Sequence, residues 1–117
     1  MNRQQELLKD PLFMLLVDEK ISQFNSEKRK KNEALDFSGA MLRGLDLRNM
    51  DAENINFTNA YFRGADLRGI DFTTCKMGGA SIAGSKISGA YFPKNIAPDE
   101  IRLSYDLGTR MRAYSDD

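Results

Sequence analysis

The sequence contains no histidine, no tryptophan and only one cysteine, Cys75. Histidine is the usual acid or base near neutral pH and the commonest metal ligand, so its absence leaves any serine or cysteine nucleophile without its common base. A single cysteine cannot form an internal disulfide or a multi-cysteine metal site, and it favours a reducing compartment. We therefore expect a cytoplasmic protein that is not an enzyme and that has no cofactor and no metal.

A net charge and a long apolar run are also missing. The 117 residues include 17 lysines and arginines and 17 aspartates and glutamates. Nucleic-acid binding usually requires a broad basic surface, so this balance disfavours nucleic acid as a partner. The apolar run PLFMLLV at 11–17 is too short to span a bilayer, and it lacks the flanking residues of a secretory signal. These features predict one domain that does not contact a membrane.

What the sequence does contain is a repeat. The stretches RGLDLRNMD at 43–51 and RGADLRGID at 63–71 match at six of nine positions with an offset of 20. Residues 35–94 divide into 12 pentads, in which the first position is small or aliphatic with one serine, and the fifth is Gly or Asn in ten. The third position is apolar in every pentad, and this column is predicted to form the core: Phe37, Leu42, Leu47, Ala52, Phe57, Phe62, Leu67, Phe72, Met77, Ile82, Ile87 and Phe92.

A period of five fits neither an α-helix nor a plain β-strand, whose periods are 3.6 and 2. It fits a chain that turns a corner every five residues, with Gly or Asn supplying the backbone angles that corners often need. Four such sides close a circuit of 20 residues. Residues 20 apart are therefore expected to lie directly above one another at one strand spacing, about 4.8 Å.

The pentads AMLRG, AYFRG, ADLRG and IDFTT resemble the pentapeptide-repeat family, whose motif is A(D/N)LXX. This resemblance implies an all-β solenoid with helical flanks, in which residues 35–94 form a right-handed quadrilateral β-helix of about three 20-residue coils. The pentads CKMGG, ASIAG and SKISG lack Asp or Asn at the second position. We expect the coil to continue through them because their first and third positions still match the pattern.

The ends of such a rod expose backbone and the apolar axis, so both flanks are expected to act as caps. We divide the chain into an N-terminal helical cap with a basic linker at 1–34, the repeat at 35–94, and a C-terminal cap at 95–117. A helix is predicted over 10–31, with Asp10 as N-cap, Pro11 in the first turn, and one apolar face formed by Phe13, Leu16, Val17, Ile21 and Phe24. The basic run at 28–31 is interpreted as a solvated helix end, with a targeting or nucleic-acid patch as the alternative.

In the C-terminal region, Pro98 is expected to open a short helix that Gly108 closes, followed by a frayed tail from Thr109. The apolar residues of this helix are Ile101, Leu103, Tyr105 and Leu107. They either cap the coil or, as the resemblance implies, form a homodimer interface through segment 95–108.

Four arginines occupy equivalent positions of the first two circuits. Arg43 and Arg63 are predicted to stack on one face and Arg48 and Arg68 on the next, with aspartates beside the second pair. One interpretation is a charged ladder that keeps a β-surface soluble. The other is a docking patch for an acidic partner, since arginine binds carboxylates and phosphates well. Tyr61, on the Arg43 face, is a candidate anchor, so the candidate protein-binding residues are Arg43, Arg48, Arg63, Arg68 and Tyr61.

These features predict a non-enzymatic scaffold that binds a protein partner of unknown identity through a side face. The alternative that the resemblance implies is a DNA mimic that modulates a type II topoisomerase, gyrase. Such mimics carry strongly acidic surfaces. Residues 35–94 contain six acidic and seven basic side chains, a net charge of the opposite sign.

Overall fold

The computed structural model describes residues 2–115 of the chain. Three helices precede the repeat: α1 (Arg3–Leu7), α2 (Pro11–Val17) and α3 (Ile21–Lys31). Two short strands, β1 (Leu35–Asp36) and β2 (Ile55–Asn56), pair in parallel, and α4 (Pro98–Leu107) follows the repeat. Within the described residues, no helix is both long enough and apolar enough to cross a membrane.

Successive 20-residue units of the chain lie side by side. We call residues 35–54, 55–74 and 75–94 the first, second and third units, and we group pentads 20 residues apart into four rows, which begin at residues 35, 40, 45 and 50. Each parallel pair in the repeat joins residues 20 apart: Leu35 to Ile55, Asp36 to Asn56, Asn56 to Lys76, Met41 to Tyr61, Tyr61 to Ser81, Asp46 to Asp66, Asp66 to Lys86, and Asp71 to Tyr91. The 20-residue stacking that the sequence predicts is therefore present.

The strands are short because a corner ends each pentad. Every Gly or Asn at the fifth position has a positive φ, between 58° at Asn54 and 81° at Gly79. The left-handed conformation interrupts extended backbone, so each pentad contributes at most two strand residues before the chain turns. The all-β character is met only in part, because the described residues form two two-residue strands, isolated bridges and four helices.

The third position of the pentads forms the core. All its members from Phe37 to Ile82 are buried, and only Ile87 and Phe92 in the third unit are partly exposed. Phenylalanine rings connect the units along the stack, with centroid separations of 6.3 Å between Phe37 and Phe57 and 5.8 Å between Phe72 and Phe92. The third position therefore forms a buried column from Phe37 to Ile82 that opens at the third unit.

The prediction of one helix over 10–31 is wrong. Asp10 does cap a helix that starts at Pro11, but α2 ends at Val17, and Glu19 adopts a φ of 59° before α3 begins at Ile21. A straight helix over this segment would be about 33 Å long, nearly the longest dimension of the molecule, which is 35 Å. The break allows α2 and α3 to pack together and to bury Phe13, Leu16 and Phe24, while Val17 and Ile21 are only half-buried.

The C-terminal helix is confirmed between Pro98 and the cap residue Gly108, whose φ is 74°. Its buried residues, however, are Glu100 and Ser104, whereas the apolar side chains of Leu103, Tyr105 and Leu107 are exposed. The helix therefore meets the third unit through the hydroxyl of Ser104, and of its apolar residues only the half-buried Ile101 packs against the core. The other apolar residues face solvent.

The expected frayed tail is also wrong as far as Ser115, and residues 116–117 lie outside the described part of the chain. Met111 is fully buried and its N–H donates to the carbonyl oxygen of Ala80 at 2.8 Å. The Nε–H and Nη2–H groups of Arg112 both donate to Oε2 of Glu100 in α4, at 3.2 and 2.8 Å. The tail is held because it supplies backbone partners that the third unit would otherwise lack.

Candidate protein-binding surface

The four candidate arginines are all exposed, but they form two different pairs. In the third row, Arg48 forks onto Asp46 with distances of 3.0 and 2.7 Å, and Arg68 forks onto Asp66 with distances of 2.9 and 2.7 Å. Arg48 also lies 3.4 Å from Asp66, so the two pairs form one network across adjacent units. The guanidinium groups of this row are therefore already paired with carboxylates of the same chain.

The electrostatics of this network are those of partnered acids. The hydrogen bond from Arg68 lowers the pKa of Asp66 to about 2, and the corresponding bond from Arg48 lowers the pKa of Asp46. The pKa of Arg48 is raised, first by its hydrogen bond to Asp46. Both carboxylates therefore stay ionised at neutral pH, and the network has little charge left for a partner.

The second row differs. The side chains of Arg43 and Arg63 form no hydrogen bond or ion pair with any residue in 2–115. Their backbones are adjacent, since the N–H of Gly44 donates to the carbonyl oxygen of Arg63 at 2.9 Å. Arg63 also borders a shallow groove of about 380 Å³, which extends to Tyr105 and Leu107 at the end of α4.

Tyr61 lies in the same row, where it pairs in parallel with Met41 on one side and Ser81 on the other. It is half-buried, whereas Met41 is 40% exposed. The structure thus brings Tyr61 together with Arg43 and Arg63 on one face. Arg48 and Arg68 lie on the neighbouring row and are not part of this face.

The basic run at the end of α3 is partly structural. Lys28 is buried and its Nζ lies 3.3 Å from Oδ1 of Asp51 in the first unit, and Arg29 approaches the same carboxylate at 3.9 Å. The interpretation of the run as a wholly solvated helix end is therefore wrong for Lys28. Asp51 is partnered, and across residues 2–115 no group of three or more His, Cys, Asp or Glu side chains converges as a metal site would require.

Cys75 is buried, as its place in the first column predicts. Its Sγ donates to the carbonyl oxygen of Ala52 at 3.0 Å, and burial raises the pKa of the thiol to about 12. A thiol with so high a pKa has almost no nucleophilic thiolate at neutral pH. Cys75 therefore acts as a small core residue.

Sequence reasoning missed the side chains that close the N-terminal end of the repeat. Arg3 donates to the carbonyl oxygens of Asp36 and Ser38, at 2.9 and 2.7 Å. The amide of Gln4 both accepts from the N–H of Met41 and donates to its carbonyl oxygen, at 2.9 and 3.3 Å. Arg3 and Gln4 follow no periodic pattern, so no signal in the sequence identifies them.

Two further side chains cover the remaining rows of the first unit. The carboxylate of Glu19 accepts from the N–H of Asp46. Asn25 accepts from the N–H of Asp51 and donates to the carbonyl oxygen of Asn49, both at 2.8 Å. At least one hydrogen-bonding group in each of the four rows of the first unit thus meets a side chain from the N-terminal segment.

The family model for pentapeptide repeats matches residues 55–92, in eight copies. No curated protein and no solved structure matches the chain. Residues 55–92 therefore match the family that the sequence resemblance predicts for 35–94. The first unit, 35–54, lies ahead of the matched region and is joined to the second unit by the parallel pairs described above.

Proposed function

We propose that the chain is a non-enzymatic protein-interaction module whose repeat forms a right-handed quadrilateral β-helix. The parallel pairs at an offset of 20, the four rows and the buried third column support this architecture. The right-handed sense rests on the resemblance to pentapeptide repeats. Within this proposal, the chain is divided into the N-terminal cap at 1–34, the repeat at 35–94 and the C-terminal cap at 95–117. The tail of the C-terminal cap is docked on the repeat as far as Ser115 and is not frayed there.

The proposed interaction site is the Arg43–Arg63 face, and the observation that carries it is the contrast between the two arginine pairs. Arg48 and Arg68 are neutralised by Asp46 and Asp66, whereas Arg43 and Arg63 have no carboxylate partner within residues 2–115. Two like charges about 5 Å apart in water repel by nearly 1 kcal/mol, and an acidic group between them relieves this cost. We therefore propose that this face binds an acidic segment of a partner protein.

The side chains around the two arginines suit such a contact. Tyr61 and Met41 offer apolar surface on the same row, and Tyr and Arg are the residues that most often dominate protein interfaces. The third-row arginines instead support the solubility interpretation, because their ladder presents an internally neutralised surface.

The test compares proteins captured by affinity purification from a native-like bacterial lysate. The wild type is run beside Arg43→Ser/Arg63→Ser, and a Lys9→Ser/Lys31→Ser variant serves as a control with the same loss of charge at exposed positions. We expect one specific protein to be retained by the wild type and the control and lost from the Arg43→Ser/Arg63→Ser variant, with all three circular dichroism spectra alike. Equal capture by all three, or capture of nothing, would refute the docking role of this face.

The same experiment addresses the alternative partner. A gyrase subunit among the proteins lost from the variant would support modulation of a type II topoisomerase. The charge of residues 35–94 argues against DNA mimicry, since Asp46, Asp51 and Asp66 are all paired with basic side chains. A cytoplasmic location and a homodimer through 95–108 remain predictions, the second supported by the exposed Leu103 and Leu107.

A further inference from the structure

The third row ends in an unpartnered backbone edge. In the second unit, the N–H groups of Leu67 and Gly69 donate to the carbonyl oxygens of Lys86 and Ser88, at 2.8 and 3.0 Å. The equivalent N–H groups one unit later belong to Ile87 and Gly89, and neither donates to any residue in 2–115. The carbonyl oxygen of Ser85 likewise has no donor there, although its equivalent at Ala65 accepts from the N–H of Lys86 at 3.0 Å.

This edge is open because the C-terminal segment covers only the first two rows. The hydroxyl of Ser104 accepts from the N–H of Ile82 at 3.0 Å, and the carbonyl of Tyr105 accepts from that of Gly84 at 3.1 Å. The carbonyl of Met111 accepts from the N–H of Gly79 at 2.6 Å. In the third and fourth rows, the apolar axis of the repeat is partly exposed.

The exposure of the core column gives independent support for this opening. Ile87 and Phe92 are the two members of the third column that remain partly exposed, and they belong to the third and fourth rows. Gly89 is exposed as well. Unpaired backbone groups and an uncovered apolar residue therefore coincide at one place, which is the usual form of a strand-addition site.

The earlier units show which backbone atoms an added strand must supply. A residue above Lys86 would donate its N–H to the carbonyl oxygen of Ser85 and accept from the N–H of Ile87. The residue two positions later would accept from the N–H of Gly89. The residue between them would point inward onto Ile87, as each third-position side chain does in the units below. The incoming segment is thus extended, parallel and apolar at its middle position.

The positive charge of Lys86 favours an acidic residue directly above it in the added strand. Lys86 is exposed and forms no ion pair within residues 2–115, and the same is true of Lys94 in the next row. Lys86 also pairs in parallel with Asp66, so opposite charges lie directly across this step of the row, although the step below pairs Asp46 with Asp66. Opposite charges placed directly across adjacent strands are favourable, and like charges are not.

A second copy of the same edge fits poorly. The edge offers two N–H donors, on Ile87 and Gly89, against one carbonyl acceptor on Ser85, so two such edges cannot satisfy each other. Juxtaposed edges would also bring two lysines at position 86 close together. The occupant that fits is a different segment with a carboxylate.

We propose that the edge Ser85–Gly89 binds an extended segment of a partner protein by parallel β-strand addition, with an acidic residue above Lys86 and a large apolar residue on Ile87. The site lies on a different row from the Arg43–Arg63 face. Its test is therefore independent of the proposed docking function.

The probe is a blocked peptide of sequence GADLRGI, which copies residues 64–70. It contains an acidic residue followed directly by a large apolar residue, as the proposed site requires. It is titrated to millimolar concentration into ¹⁵N-labelled full-length protein. We expect saturable shifts of the Ile87 and Gly89 amide resonances. The matched peptide GAKLRGI should bind about three- to tenfold more weakly, because a surface ion pair is replaced by a repulsion.

Two protein variants make the test specific. Lys86→Glu should reverse the preference between the two peptides. Lys76→Glu should leave it unchanged, since Lys76 holds the same position in the first row, where the carbonyl of Met111 already accepts from the N–H of Gly79, the equivalent of Gly89. Arg43→Ser/Arg63→Ser should bind both peptides as the wild type does, which separates this proposal from the docking function.

Three results would overturn the proposal. The first is the absence of saturable shifts at Ile87 and Gly89, and the second is equal binding of the two peptides. The third is a concentration-dependent shift of the same amides in peptide-free protein, because this would show that a second copy occupies the edge.

Discussion

At its first unit the repeat meets the side chains of helices α1 to α3, and at its third unit it meets the segment 104–113. The N-terminal contacts reach every row, through Arg3, Gln4, Glu19 and Asn25. The C-terminal contacts reach the first two rows and use mainly backbone atoms. The two ends of one repetitive structure are thus closed to different extents.

The contact of Gln4 explains how side chains close the first end. In the second unit, the N–H of Tyr61 donates to Ala40 and its carbonyl oxygen accepts from Leu42, both at 2.8 Å. One unit earlier, the side-chain amide of Gln4 makes both equivalent bonds with Met41. A primary amide carries the same donor and acceptor as a peptide group, so it replaces a missing strand at one point.

The C-terminal segment shows the limit of closing an end of the repeat with backbone groups. Its backbone groups, at Tyr105 and Met111, belong to one continuous segment, so they bond only to the rows along the path of that segment. Separate side chains from α1, from the turn between α2 and α3, and from α3 can instead reach all four rows. This difference accounts for a first unit whose third-position residues are all buried and a third unit in which Ile87 and Phe92 are not.

The largest expected effect comes from truncating the core at each end. Phe37 is buried against Phe13 of α2 and Phe57 of the second unit, with ring centroids 5.1 and 6.3 Å away. Phe37→Ala should reduce the free energy of unfolding by about 3–5 kcal/mol. Ile87→Ala, at the open end, should reduce it by less than half as much, as measured by urea denaturation. Equal losses would mean that the two ends are equally well packed.

An intermediate effect is expected from removing one capping side chain. Asn25→Ala leaves the N–H of Asp51 and the carbonyl oxygen of Asn49 without their partners. The free energy of unfolding should fall by about 1–2 kcal/mol. Gln23→Ala is the matched control, because Gln23 is an exposed residue of the same helix. A similar loss in both variants would show that helix propensity, and not capping, is responsible.

The smallest effect should come from the ion pairs of the third row. The folded-state pKa of Asp66 is lowered to about 2 by its hydrogen bond from Arg68, below the value of the unfolded chain. Its stabilising contribution is therefore present above the unfolded-state pKa of about 4 and is lost as the pH falls toward about 2. Asp66→Asn should make the urea midpoint less sensitive to pH over this range.

Asp71→Asn is the control for that measurement. The pKa of Asp71 is lowered by hydrogen bonds from Thr73, without a basic partner among the described residues. Added salt should weaken the Asp66 contribution and leave that of Asp71 nearly unchanged, because salt screens ion pairs between exposed charges. The same salt response in both variants would argue against the Arg48–Asp66–Arg68 network.

Part of this structure can be predicted from local sequence patterns. Gly44 and Asn54 take left-handed conformations at the corners where the pentad period places them. Cys75 is buried because it occupies a first-position site. The division of the arginines into two pairs has a local cause too, since Arg48 and Arg68 each follow an aspartate by two residues, whereas Arg43 and Arg63 do not.

Other features depend on contacts that have no periodic signature. The left-handed Glu19 that separates α2 from α3 bonds to Asp46, which is 27 residues away. The tail is docked by Met111 and by the pairing of Arg112 with Glu100. Neither contact follows from the spacing of the residues involved, so the sequence pattern predicts a single long helix and a frayed tail.

The 20-residue spacing, the corners and the buried column follow from the amino-acid sequence, because each depends on residue size and backbone freedom repeated every five positions. The closure of the two ends depends instead on contacts between residues far apart in the chain. The bonds of Gln4 with Met41 and of Asn25 with Asp51 join residues 37 and 26 apart in the chain. Such pairs form because the first unit presents unsatisfied peptide groups to whichever polar side chains the packed helices carry there.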